Sequence, residues 1–422
     1  MNILLSTLGS RGDVQPFVAL GSGLKAAGHN VAVCTVEGFK PFVEEHGLHY
    51  AYVNNALYEL MQAKEGRAVL EDRRQALALI KQIRPTFERI VQDEWQAAQA
   101  FQPDVMVYHP KSLGTMHIAE KRNIPAFMAL PLPFYTPTRA FPHPLFSGLR
   151  LGGWFNRFTY RLMALATAPY AGMINDFRVR TLGLPSRRRF ASPVVKTGGE
   201  PVPILYPYSR HVVPVPADFP PHVHVTGYWF LDRTEDWQPH PELLRFLEAG
   251  APPVYVGFGS MSGTEGEKRA RVVLEALARS GQRGILASGW GGLTAVDVPD
   301  NVLVIDAAPH DWLFPRVAAV IHHGGAGTTA AGLRAGKPTV ICPFIADQPF
   351  WGRVVHRLGV GPQPIPQKKL TADRLAAAIT LAVSDTAMRR RAADLGAKIR
   401  AEDGIARAVA IIGGSVAASA PS

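Results

Sequence analysis

Apolar and polar positions near the start of the chain follow the order expected for strand, turn, helix and strand. The pattern predicts a strand over 2–8, a glycine-rich loop over 9–15, a helix over 16–27 and a strand over 31–35. Two such strands joined by a helix form a parallel βαβ unit. The loop after the first strand is therefore expected at the carboxyl edge of a parallel sheet, where such folds bind ligands.

A second series of the same kind begins at the apolar run 254–260. It predicts a helix over 265–280 and further strands over 284–288, 302–305, 317–321 and 339–342. Each series starts with a strand followed by a glycine loop. The chain is therefore predicted to be an α/β protein with two doubly wound, Rossmann-like domains and a ligand in the cleft between them.

Prolines mark a change of organisation between the two series, because seven of them lie between positions 201 and 221. Proline-rich stretches with few contacts are common at domain boundaries. The predicted divisions are a first domain over 1–210, a linker over 211–230, a second domain over 231–385 and terminal helices over 386–422.

The strongest chemical signal is the turn 322–329, which lies between the strand 317–321 and a predicted helix. A helix that begins in glycine residues offers free backbone N–H groups and the positive end of its dipole. Small residues let an anion approach the backbone closely, so we expect a diphosphate at Gly325, Gly327 and Thr328.

An acid–amide pair, Asp347 and Gln348, follows the next apolar strand, 18 residues after Thr329. Carboxylate and amide groups can form several hydrogen bonds with adjacent sugar hydroxyls, so both residues are candidate contacts of a hexose. A diphosphate turn followed by a pair that binds hydroxyls predicts a nucleotide-sugar site.

Composition narrows the class of protein. The chain has 422 residues, of which 47% are hydrophobic, and a formal net charge of +11. This length favours two domains of roughly 200 residues over a single core. The basic residues are scattered and form no basic, aromatic block of the kind that binds nucleic acid. The charge therefore favours an enzyme with anionic substrates.

Two further features concern the compartment. Cys34 and Cys342 lie in apolar runs, so buried free thiols in a reducing compartment are expected. The first residues lack the basic region and apolar core of a signal peptide, and no run reaches the roughly 18 apolar residues of a membrane-spanning helix. We therefore expect a cytoplasmic protein.

Four segments together carry a family resemblance: 9–16, 257–261, 309–314 and 322–351. They resemble the UDP-dependent glycosyltransferases of the GT-B fold, above all sterol glucosyltransferases and the related enzymes that glycosylate polyketides, glycopeptides and lipids. The resemblance spans nearly the whole chain. It implies a GT-B fold with an acceptor-binding first domain, a second domain that binds the nucleotide sugar, and terminal helices that pack back on the first domain.

The resemblance also implies roles for individual residues. Asp13, in the predicted loop after the first strand, would be the general base that removes the acceptor proton. His323 and Ser260 would contact the diphosphate, and His310 would belong to the donor site. Trp290 is a candidate wall for the nucleobase, although a structural tryptophan fits its position equally well. The base stays open between uracil and thymine.

Two absences in the sequence bear on mechanism. The chain contains no Asp-x-Asp triplet, so we expect no metal site and no cofactor besides the nucleotide-sugar co-substrate. The leaving group would be neutralised by the helix dipole, the histidine and hydroxyl groups. No glutamate lies between Glu275 and Glu402, which excludes the paired-glutamate motif of retaining GT-B enzymes and predicts inversion at the anomeric carbon.

The acceptor is indicated by the loop 125–149, which is rich in proline and aromatic residues. Such a loop favours a lipophilic alcohol, for example a sterol, triterpenoid or polyketide. The candidate acceptor contacts are Phe134, Tyr135, Phe141 and His143. The next segment, 149–170, mixes arginines with aromatic residues. It fits either a helix packed at the acceptor cleft or a peripheral contact with the inner membrane face.

The preferred function is transfer of a hexose, glucose above all, from UDP to such an alcohol. Two alternatives stay open. One is a dTDP- or UDP-deoxysugar transferase that acts on a secondary metabolite or hydroxy fatty acid. The other is a non-catalytic, nucleotide-binding helper protein, and the intact Asp13 and Asp347 favour an enzyme over it.

Overall fold

The computed structural model describes residues 1–56, 59, 73–148, 151–162, 168–232, 237–258, 266–287 and 298–417, with the backbone alone for 73–83, 266 and 415–417. The chain divides into two compact units. The first comprises Met1–Arg210, Val215–Leu231 and Asp403–Ser422, and the second comprises His211–Pro214 and Asp232–Glu402.

The first unit is built on a parallel sheet of seven strands. The strands are Asn2–Ser6 (β1), Asn30–Val36 (β2), His49–Val53 (β3), Val105–Tyr108 (β4), Ala126–Ala129 (β5), Ile204–Tyr206 (β6) and Val223–Val225 (β7). Their order in the sheet is β3-β2-β1-β4-β5-β6-β7. The order reverses between β1 and β4, and the loops that leave the carboxyl ends of these two strands border the crevice where doubly wound folds bind ligands.

Helices connect these strands. They are Arg11–Ala26 (α1), Lys40–Glu45 (α2), Arg73–Phe101 (α3), Thr115–Arg122 (α4), Gly152–Arg161 (α5) and Ala171–Asp176 (α6). The core forms because β1 is apolar on both faces, with Ile3, Leu4 and Leu5 fully buried. A parallel sheet covered by helices on both faces requires continuous apolar runs of this kind.

The second unit contains a parallel sheet of five strands. The strands are Val254–Gly257 (β8), Gly284–Ala287 (β9), Val302–Ile305 (β10), Ala319–His322 (β11) and Thr339–Ile341 (β12). Their order is β10-β9-β8-β11-β12, which reverses between β8 and β11. The two parallel sheets confirm the predicted α/β class with two doubly wound halves.

The helices of the second unit follow the same alternation. They are Pro241–Glu248 (α7), Gly266–Ser280 (α8), His310–Leu313 (α9), Ala326–Arg334 (α10), Gln348–Arg357 (α11), Ala372–Ser384 (α12) and Thr386–Arg400 (α13). Short 3-10 turns occupy Glu37–Phe39, Pro144–Phe146, Ala168–Tyr170, Phe314–Arg316 and Gln367–Lys369, and a π turn occupies Phe177–Thr181.

The structure moves two of the predicted domain boundaries. The range 211–230 was predicted to be a linker, but it contains β7, which pairs with β6 at the edge of the first sheet. Backbone hydrogen bonds of the sheet therefore extend the first unit to Leu231.

The terminal helices were predicted to pack back on the first domain, but the structure assigns them to different units. Helix α13 packs against α10 of the second unit. Only the last helix, Gly404–Ala417 (α14), packs on the first unit, where it contacts α1 and buries Ala408 and Ile412.

Two predictions about whole-chain properties can be compared with the structure. Cys34 and Cys342 are both buried and free, as expected. Within the part of the chain that the structure describes, no helix is both long enough and apolar enough to cross a membrane.

Candidate catalytic and donor-binding sites

Asp13 lies in the first turn of α1, not in a loop as predicted. The helix begins at Arg11, five residues before the expected start at Pro16. Ser10 caps it, and the Ser10 N–H and hydroxyl donate to Asp13 Oδ2 at 2.8 and 3.1 Å. When an acid lies three residues after a capping serine, the two residues form hydrogen bonds with each other across the first turn of the helix. This pairing explains why α1 starts at Arg11.

The residues before α1 fix the position of this carboxylate. The Thr7 hydroxyl donates to the Asp13 carbonyl oxygen at 2.9 Å. Gly9 has φ +132°, and a Cβ there would overlap the Asp13 carboxylate. Only glycine tolerates both conditions, so the glycine at this position allows the acid to lie directly beside the end of β1.

Lys111 and His109 complete the surroundings of Asp13. Lys111 Nζ donates to Asp13 Oδ1 at 2.8 Å, and His109 Nε2 lies 3.7 Å from the same oxygen. Both residues follow β4, the strand beside β1 at the point where the strand order reverses. The first unit therefore assembles an acid, a histidine and a lysine at the position where its fold favours a ligand.

The protonation of His109 follows from its contacts. The Lys111 backbone N–H donates to His109 Nδ1 at 3.2 Å, so Nδ1 is an acceptor. Burial lowers the pKa of His109 to about 4, although the charge of Asp13 acts in the opposite direction. The ring is therefore neutral at pH 7, and its one N–H is on Nε2, which faces Asp13.

Asp13 is ionised in this environment. Burial alone would raise the pKa of its carboxyl, but the charges of Lys111 and His109 and the hydrogen bonds from Lys111 and Ser10 lower the pKa below its ordinary value of 3.8. Lys111 is the strongest of these partners, although 45% of its side chain is exposed to solvent. The carboxylate is thus ionised at neutral pH, with a half-exposed cation beside it.

His109 and Lys111 were not predicted from the sequence to be functional residues. A signal existed, since they directly follow the predicted strand 105–108. Their significance depends on the neighbouring position of β1 and β4, which is a property of the strand order.

The second unit forms the predicted glycine turn after β11. Gly324 has φ +97°, and a Cβ there would lie 2.7 Å from Ile341 Cγ2 and 3.2 Å from the Gln348 carbonyl oxygen. Helix α10 begins at Ala326, so the N–H groups of its first turn, including those of Gly327 and Thr328, have no acceptor within the helix. An added Cβ on Gly327 would meet open space.

Histidines of the turn differ in their surroundings. His322 is fully buried, and its Nδ1 accepts the Gly324 N–H at 2.9 Å, which gives it a structural role in the turn. His323 is half-buried and lies against Gly325, where an added Cβ would be 2.7 Å from His323 Nε2. Burial lowers the pKa of His323 to about 4, although a hydrogen bond with the Gly257 backbone raises it. His323 is therefore neutral at pH 7.

His310 begins α9 and stacks on Phe314, with ring centroids 4.2 Å apart. Its ring also lies 6.0 Å from that of Tyr255. Burial is the largest cause of the lowered pKa of His322, followed by the charge of His323 and then that of His310. His310 therefore lies close to the buried His322. His310, His322 and His323 therefore belong to one region of the second unit.

Asp347 and Gln348 lie beside the glycine turn, as the contact between Gly324 and Gln348 shows. The Gln348 side-chain oxygen accepts the N–H groups of Phe344 and Ile345 at 2.7 and 3.2 Å. Asp347 is half-buried, and its Oδ2 accepts the Trp351 indole N–H at 3.1 Å. Gln348 is buried and therefore uses its side-chain oxygen within the loop.

The predicted acceptor residues have mixed surroundings. Phe134, Tyr135 and Phe141 are half-buried in the loop after β5. His143 is fully buried, and its ring packs between Phe134 and Tyr160 at 4.5 and 5.3 Å. The prediction that His143 contacts the acceptor is corrected, because a ring with no exposed surface acts as a core residue of the loop.

Two predicted donor residues, Ser260 and Trp290, lie outside the described residues. Among the residues that the structure does describe, no group of three or more His, Cys, Asp or Glu side chains could hold a metal ion.

Family comparisons agree with this architecture. The chain matches the glycosyltransferase family 28 N-terminal domain over residues 3–142 and the erythromycin biosynthesis protein CIII-like C-terminal domain over residues 283–410. Sterol 3-beta-glucosyltransferase UGT80A2 of Arabidopsis thaliana is 38% identical over 420 residues, which cover 97% of this chain and 64% of that protein. UGT80B1 of the same plant is 36% identical and matches 97% of this chain and 67% of its own length.

A fungal relative, the sterol 3-beta-glucosyltransferase of Emericella nidulans, is 38% identical over 98% of this chain and 30% of its own length. The chain thus spans about two thirds of the plant relatives and less than a third of the fungal one.

Solved structures show the same fold. The kitacinnamycin glycotransferase aligns with a TM-score of 0.74 at 21% identity, over 97% of this chain and 98% of its own. The calicheamicin glycosyltransferase CalG4 aligns with a TM-score of 0.73 at 18% identity, over 100% and 99%. The fold is that of the GT-B glycosyltransferases. The chain belongs to the glycosyltransferase family that includes the sterol 3-beta-glucosyltransferases.

Proposed function

We propose that the protein is an inverting, metal-independent glycosyltransferase that moves a hexose from a UDP-sugar to a hydroxyl of a lipophilic acceptor. Asp13 at the strand-order reversal of the first unit carries this proposal, because its carboxylate is ionised, positioned by a cap and accompanied by His109 and Lys111. The names of the sterol 3-beta-glucosyltransferase relatives support a sterol-like acceptor and glucose as the hexose.

In this proposal Asp13 is the general base. The acceptor O–H donates its proton to an Asp13 carboxylate oxygen while the hydroxyl oxygen forms a bond to C1 of the sugar. The bond between C1 and the diphosphate oxygen breaks, and its electron pair leaves with the UDP. A single displacement of this kind inverts the configuration at C1.

We infer that the acceptor hydroxyl displaces Lys111 Nζ from Asp13 Oδ1, since the other carboxylate oxygen, Oδ2, already accepts two hydrogen bonds from Ser10. Loss of the cation leaves the carboxylate in a buried environment, which raises its pKa and strengthens it as a base. His109 keeps Nε2–H towards Asp13, and its Nδ1 accepts the Lys111 backbone N–H, so neither ring nitrogen is free to take the acceptor proton.

The second unit is proposed to bind the donor. Backbone N–H groups of Gly325, Gly327 and Thr328 and the start of α10 would hold the diphosphate, with neutral His323 as a hydrogen-bonding partner. Asp347 and the Gln348 NH₂ group would bind the hexose hydroxyls. Ser260, His310 and Trp290 remain predicted donor contacts, as Phe134, Tyr135 and Phe141 remain predicted acceptor contacts, and a cytoplasmic location remains a prediction of the sequence.

The test measures UDP release from UDP-glucose with a panel of sterols, flavonoids and macrolide aglycones and no added metal. We expect release that depends on the acceptor and falls by about 10² to 10⁴ in Asp13→Asn, the range expected for loss of a general base. Asp385→Asn is the matched control, because Asp385 also accepts a backbone N–H at a helix start but lies in the second unit.

The outcomes separate the alternatives. Asp13→Asn activity within a few-fold of the wild type would refute the proposed base. Release from dTDP-sugars but not from UDP-glucose would change the donor. UDP binding without turnover for any donor or acceptor would identify the non-catalytic helper protein.

A further inference from the structure

Helix α5 exposes an unusual set of side chains on one face. Trp154 is 78% exposed and Phe158 is 40% exposed, and their rings stack with centroids 5.7 Å apart and an interplanar angle of 5°. Arg157 and Arg161 are also exposed. Positions 154, 157, 158 and 161 are spaced by three and four residues, so the aromatic pair and the two arginines lie on the same face of the helix. We call this set the α5 face.

The opposite side of α5 is anchored. Asn156, Thr159 and Tyr160 are buried, and the Asn156 amide donates to the Arg139 carbonyl oxygen at 2.8 Å. The Thr159 hydroxyl accepts the His143 N–H at 2.8 Å. These contacts attach α5 to the proline-rich loop after β5. The α5 face is therefore the outer side of a helix whose inner side is packed.

More apolar surface lies in the segment that leads into the helix. Leu145 is 51% exposed and Leu151 is 65% exposed. Single exposed apolar residues are ordinary, but several large ones in a short segment mark an interaction surface.

The sequence segment that contains α5 carries only positive charges. Residues 121–175 contain six Lys or Arg and no Asp or Glu. Among the described residues, the Asp218 carboxylate approaches this segment from elsewhere in the chain. It accepts hydrogen bonds from the Thr138 hydroxyl and the Arg139 N–H, and it also interacts with the charge of Arg157. A rigid helix that presents tryptophan, phenylalanine and arginine together, within a segment free of acid, complements an anionic lipid surface better than a protein surface of mixed charge.

We propose that the α5 face is a docking site for the surface of a membrane that contains anionic lipid. Trp154 and Phe158 enter the interfacial region, and Arg157 and Arg161 contact the lipid phosphates. Because α5 is anchored to the loop of the predicted acceptor contacts, docking places that loop next to the phase in which a lipophilic alcohol is dissolved. The binding itself does not depend on the proposed function.

Vesicle sedimentation tests the proposal with the full chain and with no sugar donor or acceptor present. Phosphatidylcholine vesicles are compared with vesicles of phosphatidylcholine and phosphatidylglycerol. We expect binding to the mixed vesicles that weakens as salt is added. Arg157→Ala/Arg161→Ala should weaken binding by about 25-fold, since each arginine near an anionic surface contributes about fivefold. Trp154→Ala/Phe158→Ala should weaken it by at least about tenfold.

Matched controls carry the same changes elsewhere. Arg389→Ala/Arg390→Ala removes two exposed arginines of α13, and Phe190→Ala removes an aromatic side chain that is 57% exposed. Both should bind like the wild type. Circular dichroism melting shows whether each variant is folded, and a conservative pair, Arg157→Lys/Arg161→Lys, should keep most of the binding if charge is what matters.

Three results would overturn the proposal: absence of wild-type binding to the mixed vesicles, equal binding by the α5 variants, or self-association through the α5 face that lipid does not affect. Each is independent of turnover. Acceptor-dependent UDP release by a protein that fails to bind vesicles would refute the docking surface and leave the proposed function intact.

Discussion

Replacement of Lys111 by methionine tests the electrostatic account of Asp13. In the wild type the Lys111 charge lies 2.8 Å from Asp13 Oδ1 and opposes the burial that would raise the pKa of the carboxyl. An opposite charge at this distance lowers a carboxyl pKa by about 1 to 3 units. Because Lys111 is 45% exposed and screened by solvent, we take the lower end of this range, about one unit.

The expected result is a shift in the pH profile of kcat/KM. The wild-type acid limb lies below pH 3.8, since the pKa of free-enzyme Asp13 is lowered. In Lys111→Met the limb should move up by about one unit, which corresponds to about 1.4 kcal/mol. The stability change has a definite sign. A carboxyl with a lowered folded-state pKa stabilises the protein above its unfolded pKa, and this contribution is lost as the pH falls through the folded pKa. Lys111→Met should therefore reduce stability at neutral pH.

The assay is acceptor-dependent UDP release from about pH 2.5 to about pH 7, a range that extends about one unit below the upper bound of the wild-type limb. Circular dichroism at each pH separates titration from unfolding. Lys121→Met is the control, because Lys121 is an exposed lysine of the same unit at the end of α4. An acid limb that stays at the wild-type position in Lys111→Met would refute the view that Lys111 sets the pKa of Asp13.

Two further predictions concern the glycine turn of the proposed donor site and the buried Arg178–Glu120 ion pair of the first unit. Gly327→Ala should keep the wild-type melting temperature and raise KM for the donor, because the added Cβ meets no protein atom but faces the proposed diphosphate. Gly324→Ala should lower the melting temperature, because φ is +97° and the added Cβ would lie 2.7 Å from Ile341 Cγ2. An unchanged donor KM in Gly327→Ala would contradict the diphosphate site. Arg178→Met should reduce the free energy of unfolding by about 3 kcal/mol in urea titration, because the buried guanidinium pairs with Glu120 at 2.9 Å; an unchanged midpoint would contradict this.

The sequence predicted the sheets well because strand formation depends on local patterns. Buried parallel strands require continuous apolar runs, and the run 317–321 was recognised for that reason; the strand itself is Ala319–His322. The glycine turn was predicted for an equally local reason, since Gly324 adopts a backbone conformation that few other residues tolerate.

Prediction failed where distant contacts decide the structure. Pro16 suggested a helix start, but the hydrogen bonds between Ser10 and Asp13 begin the helix at Arg11. His109 and Lys111 became candidate site residues only because they contact Asp13, which is about 100 residues away in the sequence. His143 belongs to an aromatic loop, and only the packing of Tyr160 and Phe134 against it shows that the ring is enclosed.

The packing of α14 has a consequence for biosynthesis. Ala408 and Ile412 are part of the core of the first unit, and a Cβ on Gly23 of α1 would overlap Ile405. The first unit thus lacks part of its hydrophobic core until the ribosome has released residues 404–417. The 171 residues of Asp232–Glu402, which form most of the second unit, are synthesised in between. The nascent first unit therefore keeps an exposed apolar groove on α1 through that interval, and a fragment ending at Leu231 would carry the same groove permanently.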